Sequence, residues 1–161
     1  WPNGLWLGGA AGGRKLGGIL VETASFVAPQ AVAPQTNTST ARYVVVGIGI
    51  NVSSQAFPAE IAEIATSLGI ESGHNVPAQD VLQAIIARFA IRHRQIGRDF
   101  DELLSAVRER CVLTGHQVSL TTSSGPRQGI VEGIAADGAL VLRTPAGLEN
   151  LIQADEVRTL D

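Results

Sequence analysis

Cysteine is nearly absent from this chain of 161 residues, where Cys111 stands alone. One thiol excludes an internal disulfide framework and fits a reducing compartment. It does not spell a zinc site either, because His74, His93 and His116 are scattered, with no i, i+4 pair among them and no second cysteine. Each histidine reads as a surface or packing residue. Long apolar runs are also missing: "YVVVGIGINV" is far shorter than the roughly 20 residues a membrane-spanning helix needs. No serine lies in a nucleophile elbow, which leaves no triad to propose. Basic charge is in deficit, with 12 Lys and Arg against 15 Asp and Glu, a formal net charge of -3 and a pI near 5.6. A duplex-binding surface needs many cationic phosphate contacts, so nucleic acid is not expected as a partner of this segment.

Lysine is as scarce as cysteine. Every basic residue but Lys15 is arginine, and the exception lies in "GGRKLGG", a glycine-flanked stretch running into the apolar "ILVET". A compact ammonium and a planar guanidinium differ wherever one specific atom must be held. The stretch therefore reads either as a loop that holds an anion or as a plain turn in an arginine-biased sequence.

The 45% hydrophobic content suffices for a real core. "KLGGILVETASFV" and "ARYVVVGIGINV" carry the β-branched composition of neighbouring buried strands, joined by a loop containing Pro29 and Pro34. In "FPAEIAEIATSLG" the positions of Ile61, Ile64, Ala65 and Leu68 predict a short amphipathic helix, with Pro58 at its first position and Gly69 at its exit. "AQDVLQAIIARFAIRHRQIG" predicts a long packed helix presenting Leu82, Ile85, Ile86 and Phe89 on one face and Arg88, Arg92 and Gln95 on another. "RDFDELLSAVRERC" predicts a third helix, capped by Asp99 and bearing Phe100, Leu103, Leu104, Val107 and Cys111. From about residue 113 the period becomes twofold. "HQVSLTT", "GIVEGIA", "ALVLRT" and "LENLIQ" predict short strands separated by "SSGPR", Asp137-Gly138 and Ala146-Gly147, which suits a small barrel of the SH3 type.

The common phosphate motif G-x-x-x-x-G-K-[ST] does not fit. Counted from Gly8, Arg14 stands where its lysine belongs. "GIGIN" lacks the third glycine of a dinucleotide fingerprint. Gly47 and Gly49 nevertheless interrupt an apolar strand, which marks either a bend or a place where a ligand approaches the backbone.

Taken in order, "WPNG", "GRKLGGILVET", "VVVGIGINV", "FPAEIAEIATSL", two helices and an all-β tail resemble the biotin protein ligases over essentially the whole chain. The resemblance implies an α+β fold: part of a class II tRNA synthetase-like catalytic domain over residues 1–112, then an SH3-like domain over residues 113–161. It implies ATP, biotin and Mg²⁺ as the small molecules and biotinyl-5′-AMP as the intermediate. The acceptor would be a lysine of a biotin carboxyl carrier protein, and the setting cytoplasmic. By the family's motifs, Lys15 is the catalytic lysine, contacting biotin's carboxyl end and the activated phosphate. Gly17, Gly18, Gly47 and Gly49 bind biotin or biotinyl-AMP, Asn3 and Asn51 serve the ATP phosphates, and Trp1 and Pro2 pack beneath. No residue is assigned to a protein-held metal. In family members the sheet around "GIGIN" can mediate dimers, which makes a homodimer compatible with the resemblance.

The chain departs from the family at Gly4, where the usual aspartate would offer a carboxylate to Mg²⁺. The first residues read as the middle of a domain, and the family's glycine- and arginine-rich biotin loop normally precedes Trp1, so the chain is expected to be a fragment. The alternative class is a ligase-like binding module without catalysis, acting through protein contacts. Because half of the expected pocket lies outside these residues, millimolar biotin and MgATP should raise the melting temperature of the isolated chain little. A shift of several degrees in a thermal scan would contradict this, since tight selective binding stabilises the native state by mass action.

Overall fold

The computed structural model of the chain describes residues 3–8, 12–27, 40–53, 55–154 and 156–160. Trp1, Pro2 and the loop with Pro29 and Pro34 lie outside the described residues. Among the described residues the fold is mixed, with an antiparallel sheet of three strands, then three helices, then an antiparallel sheet of five.

The first sheet consists of β1 (Gly4–Leu7), β2 (Arg14–Val27) and β3 (Thr40–Ile50), in that spatial order. The two long valine- and isoleucine-rich segments pair without interruption from Gly17 opposite Ile50 to Val27 opposite Thr40. β1, which the sequence pattern did not announce, adds to the other edge of β2 with a register shift between Leu5 and Trp6. That shift leaves Leu16 as an extra residue on β2. Such bulges re-aim side chains and concentrate near functional sites.

The expectation that these strands are buried is not met within this chain. Leu20 and Val21 are 60% and 58% exposed, and so are Val44 and Val45 at 61% and 56%. Consecutive strand residues point to opposite faces, so both faces of the sheet are uncovered by the described residues.

The predicted helix around Ile61 and Ile64 is also corrected. Residues 59–64 form turns, Ala65 bridges in parallel to Lys15, and the helix begins later as α1 (Leu68–Ser72). Pro58 therefore does not start a helix. Ser67 is the N-cap, its Oγ accepting the Ile70 N–H at 3.2 Å, and Gly73 ends the helix in the left-handed region at φ 71°. Gly69 lies inside the helix and not at its exit. Backbone partners explain the change: the 64–69 segment bonds to Lys15 of β2 and to Asn51 and Val52 just after β3, and that tertiary pairing overrides its helical spacing.

α2 (Ala78–Ile96) and α3 (Phe100–Arg108) form where periodicity predicts them. α2 is not packed as expected: it has no buried residue, and Leu82, Ile86 and Phe89 remain 54%, 60% and 46% exposed. Asp99 is the N-cap of α3 but makes no side-chain capping bond. Of the predicted apolar face of α3, only Leu104 is buried, and Arg108 Nε donates to the Ile134 carbonyl at 2.7 Å, tying this helix to the second sheet.

The core sits in that second sheet, which comprises β4 (Gln117–Thr122), β5 (Gly125–Ile134), β6 (Leu140–Thr144), β7 (Gly147–Leu151) and β8 (Glu156–Thr159), in the order β7-β6-β5-β4-β8. Twofold alternation turns Val118 and Leu120 of β4, Val131 of β5, and Leu140 and Leu142 of β6 inward, where they cluster with Leu113. β7 and β8 are the outer strands, and no ladder between them closes the sheet among the described residues. β8 is a strand the sequence reading missed. The Asp137-Gly138 turn behaves as its chemistry requires: Gly138 sits at φ 87° and the Asp137 carboxylate accepts the Ala139 N–H at 3.0 Å.

Truncating this core should cost far more than truncating the surface. Leu142→Ala is expected to lower unfolding free energy by about 2–5 kcal/mol, whereas Leu148→Ala, at a side chain 67% exposed, should change it by less than about 0.5 kcal/mol. Urea denaturation of the two variants measures both values.

Candidate functional site

The sequence-predicted residues converge at the end of the first sheet where β1 meets β2. Gly18 stands opposite Gly4 on one side and Gly49 on the other, and Gly17 stands opposite Leu5 and Ile50. Asn3 enters through its backbone, its carbonyl accepting the Ile19 N–H at 2.8 Å, while its side chain is exposed. Lys15 is one residue before the Leu16 bulge, and its side chain is exposed. Among the described residues, no hydrogen bond or ion pair engages its ammonium.

The glycines have separable roles. A Cβ at Gly17 would overlap the Gly49 carbonyl oxygen, so residue 17 must lack a side chain for β2 and β3 to approach at this point. At Gly18 the nearest atom to an added Cβ is the Asn3 carbonyl oxygen at 3.4 Å, and at Gly47 and Gly49 nothing lies closer than 3.8 Å. The β2–β3 register runs straight through Gly47 and Gly49, so no bulge accounts for them.

Gly4 has a specific neighbour. A Cβ there would stand 2.7 Å from Trp6 Nε1. The space into which an aspartate at residue 4 would project is taken by this indole, which would have to move to admit it. The donor set bears on magnesium as well. Among the described residues no three His, Cys, Asp or Glu side chains converge on a metal position. Mg²⁺ prefers carboxylates together with substrate phosphates, and the described residues bring no such cluster of carboxylates together.

What the sequence reading missed is the segment that joins Lys15 to Asn51. The Lys15 N–H donates to the Ile64 carbonyl at 2.7 Å, and the Lys15 carbonyl accepts the Thr66 N–H at 2.9 Å. Asn51 is bonded on three sides: its N–H to the Leu16 carbonyl, its carbonyl from the Leu68 N–H, each at 2.9 Å, and its Nδ2 to the Thr66 carbonyl at 3.0 Å. Thr66 and Ser67 are the buried polar residues of the chain's described part. Ser67 Oγ donates to the Ser53 carbonyl, and Thr66 Oγ1 donates to Glu71 Oε1 at 2.5 Å. The same carboxylate oxygen accepts Arg14 Nη2, also at 2.5 Å. Arg14 is thus occupied with Glu71 while Lys15 is free. The signal for this node was the Thr-Ser pair in "ATSLGIES", which was absorbed into a helical pattern.

A cleft of about 880 Å³ opens between β1, the helices and the second sheet. Gly4, Leu5 and Trp6 form one wall and Arg88, Arg92 and Arg110 approach from the helical side. None of the seven predicted site residues lines it, although it shares β1 with them.

With this geometry in view, relatives can be weighed. Residues 114–155 match the family model described as biotin protein ligase C terminal domain. The biotin--[acetyl-CoA-carboxylase] ligase of Paracoccus denitrificans is 33% identical over 162 aligned residues, which take in 98% of this chain. The chain is similar to biotin protein ligases from end to end. The bifunctional ligase/repressor BirA of Bacillus spizizenii is 31% identical over 96% of the chain. The chain spans 60% of the Paracoccus protein's length and 44% of the Bacillus protein's. Among solved structures, the apo biotin protein ligase from Aquifex aeolicus superimposes on 91% of this chain with a TM-score of 0.73 and 22% identity, covering 59% of that chain. The same ligase in complex with biotin and ATP gives a TM-score of 0.72 over 91% of this chain and 56% of its own. At that identity the superposition establishes the fold.

The close approach of β2 and β3 gives a direct test of the site's construction. Gly17→Ala should destabilise the protein by about 1–3 kcal/mol through overpacking against the Gly49 backbone, while Gly18→Ala should stay within about 0.5 kcal/mol. Equal urea midpoints for the two variants would contradict the register at this end of the sheet.

Proposed function

We propose that this chain forms the later part of a biotin protein ligase, which activates biotin with ATP and transfers it to a lysine of a biotin carboxyl carrier protein. In the first step a biotin carboxylate oxygen bonds to the α-phosphorus of ATP as the bond to the β-phosphate bridge breaks, releasing pyrophosphate. In the second, the carrier's lysine amine attacks the biotinyl carbonyl and AMP leaves. The observation that carries this reading is the exposed ammonium of Lys15, without a partner among the described residues and held by its backbone beside Asn51, in a chain similar to ligases over nearly its whole length.

Charge builds on the α-phosphate oxygens as the leaving bond stretches. A fixed cation at that point stabilises the transition state more than the ground state. Lys15 suits this role because its main chain is bonded on both sides to the 64–66 segment. Gly18, Gly47 and Gly49 leave one strand surface bare for biotin and its adenylate, and Gly17, also assigned to that ligand, lets β2 and β3 close beneath it. Asn3 and Asn51 are assigned to the phosphates, and magnesium enters as MgATP. The fold reading divides the chain into a synthetase-like catalytic part, residues 1–112, and an SH3-like part, residues 113–161. The uncovered faces of β2 and β3 and the exposed apolar side of α2 are where the remainder of the catalytic layer would pack. A cytoplasmic setting suits the lone, partly buried Cys111.

The assay is pyrophosphate release by the protein that carries these residues. Lys15→Arg should slow adenylate formation 10- to 100-fold, about 1.4 to 2.7 kcal/mol of lost transition-state stabilisation, because a wide planar fork replaces a compact donor. Lys15→Ala should cost more, and Arg14→Ala distinctly less, since Arg14 is committed to Glu71. Wild-type turnover by Lys15→Ala alongside an inactive Arg14→Ala would reverse the roles of the two cations.

A further inference from the structure

Thr66 is fully buried, at 0% exposure, and each of its three polar groups is bonded to a different part of the site. Its N–H donates to the Lys15 carbonyl at 2.9 Å, its carbonyl accepts Asn51 Nδ2 at 3.0 Å, and its Oγ1 donates to Glu71 Oε1 at 2.5 Å. Glu71 in turn holds Arg14, the strand neighbour of Lys15, on the same oxygen. A buried polar residue whose N–H, carbonyl and hydroxyl proton are all engaged fixes what it touches, because moving any partner leaves an unpaired group in a place water does not reach.

We propose that Thr66 and Glu71 are positioning residues: together they hold the Lys15 main chain and the Asn51 side chain in one fixed arrangement. The role in catalysis rests on the ligase reading; the mechanical coupling does not. Two features of the geometry carry it. The Asn51 amide donates its hydrogen to Thr66, which turns its carbonyl oxygen away from Thr66. Arg14 and Lys15 are adjacent on β2 and leave opposite faces of the strand, so the Glu71 carboxylate that binds Thr66 also fixes β2 from the Arg14 side.

The variants are Thr66→Val, which keeps the shape and removes Oγ1, Thr66→Ser, which keeps the hydroxyl, and Glu71→Gln, which keeps the volume and removes the charge. In steady-state pyrophosphate release, Thr66→Val and Glu71→Gln should lower kcat by about 10-fold with KM for MgATP and biotin changed by less than about 3-fold, the pattern of lost transition-state alignment. Thr66→Ser should recover to within about 3-fold of the parent. In parallel, amide hydrogen exchange at Lys15 and Asn51 should speed up by about 10-fold in Thr66→Val and Glu71→Gln, with the Val131 and Leu142 amides of the second sheet unchanged. Unaltered exchange at both Lys15 and Asn51 overturns the proposal whatever the kinetics. Faster exchange with unaltered kcat overturns the catalytic half of it. Should the parent protein release no pyrophosphate, the ligase reading fails, and exchange alone decides whether Thr66 and Glu71 hold the two residues together. If Thr66→Val does not fold, Glu71→Gln supplies the same two readouts from a partly exposed position.

Discussion

The hydrogen bonds between the 64–69 segment and the strands on either side of it are the interaction on which the candidate site depends. Lys15 lies on β2 and Asn51 follows β3, and sheet pairing alone would leave their side chains free to diverge. The segment passes between them and bonds to both through its backbone, while Ser67 anchors it to residue 53 and Thr66 to Glu71. Each of these bonds is individually modest in water. At a buried joint the cost of leaving one unmade is larger than the gain from making it, and this asymmetry is what makes the joint specific.

A second constraint is steric. β2 and β3 approach so closely at Gly17 that no side chain fits between that residue and the Gly49 backbone. The bulge at Leu16 is adjacent, and together the two features place Lys15 at a break in the regular pleat. Gly4 and Trp6 form a comparable pair two residues apart on β1, where the indole lies beside the bare backbone. A side chain at residue 4 would meet the Trp6 indole, so exchanging either residue alone would disturb the other.

The two sheets differ in how they satisfy their apolar residues. The second sheet buries its own: Val118, Leu120, Val131, Leu140 and Leu142 close around one another within about two dozen residues of sequence. The first sheet and α2 carry comparable apolar content and leave it exposed among the described residues. A β-branched strand gains stability only when another layer covers it. The contrast leaves apolar surface uncovered on the first sheet and on α2 among the described residues, in a chain that spans 44% and 60% of the lengths of the relatives it matches.

Much of this was legible in the sequence, because it depended on local chemistry. Twofold alternation marked β4 through β7, the Asp137-Gly138 turn followed from the φ that glycine tolerates, α2 and α3 followed from a 3.6 period, and the motifs around Lys15 and Asn51 carried the resemblance. Tertiary structure alone decided the rest. Helical spacing in residues 58–69 lost to backbone bonds with strands distant in sequence. The valine runs looked buried because composition reports what a strand prefers and not whether a partner layer is present. Arg14 and Lys15 look alike as neighbouring cations until Glu71, 57 residues beyond Arg14, takes one of them. Thr66 reads as an ordinary helical threonine until three separate chain segments converge on it, and no periodicity or motif encodes a convergence of that kind.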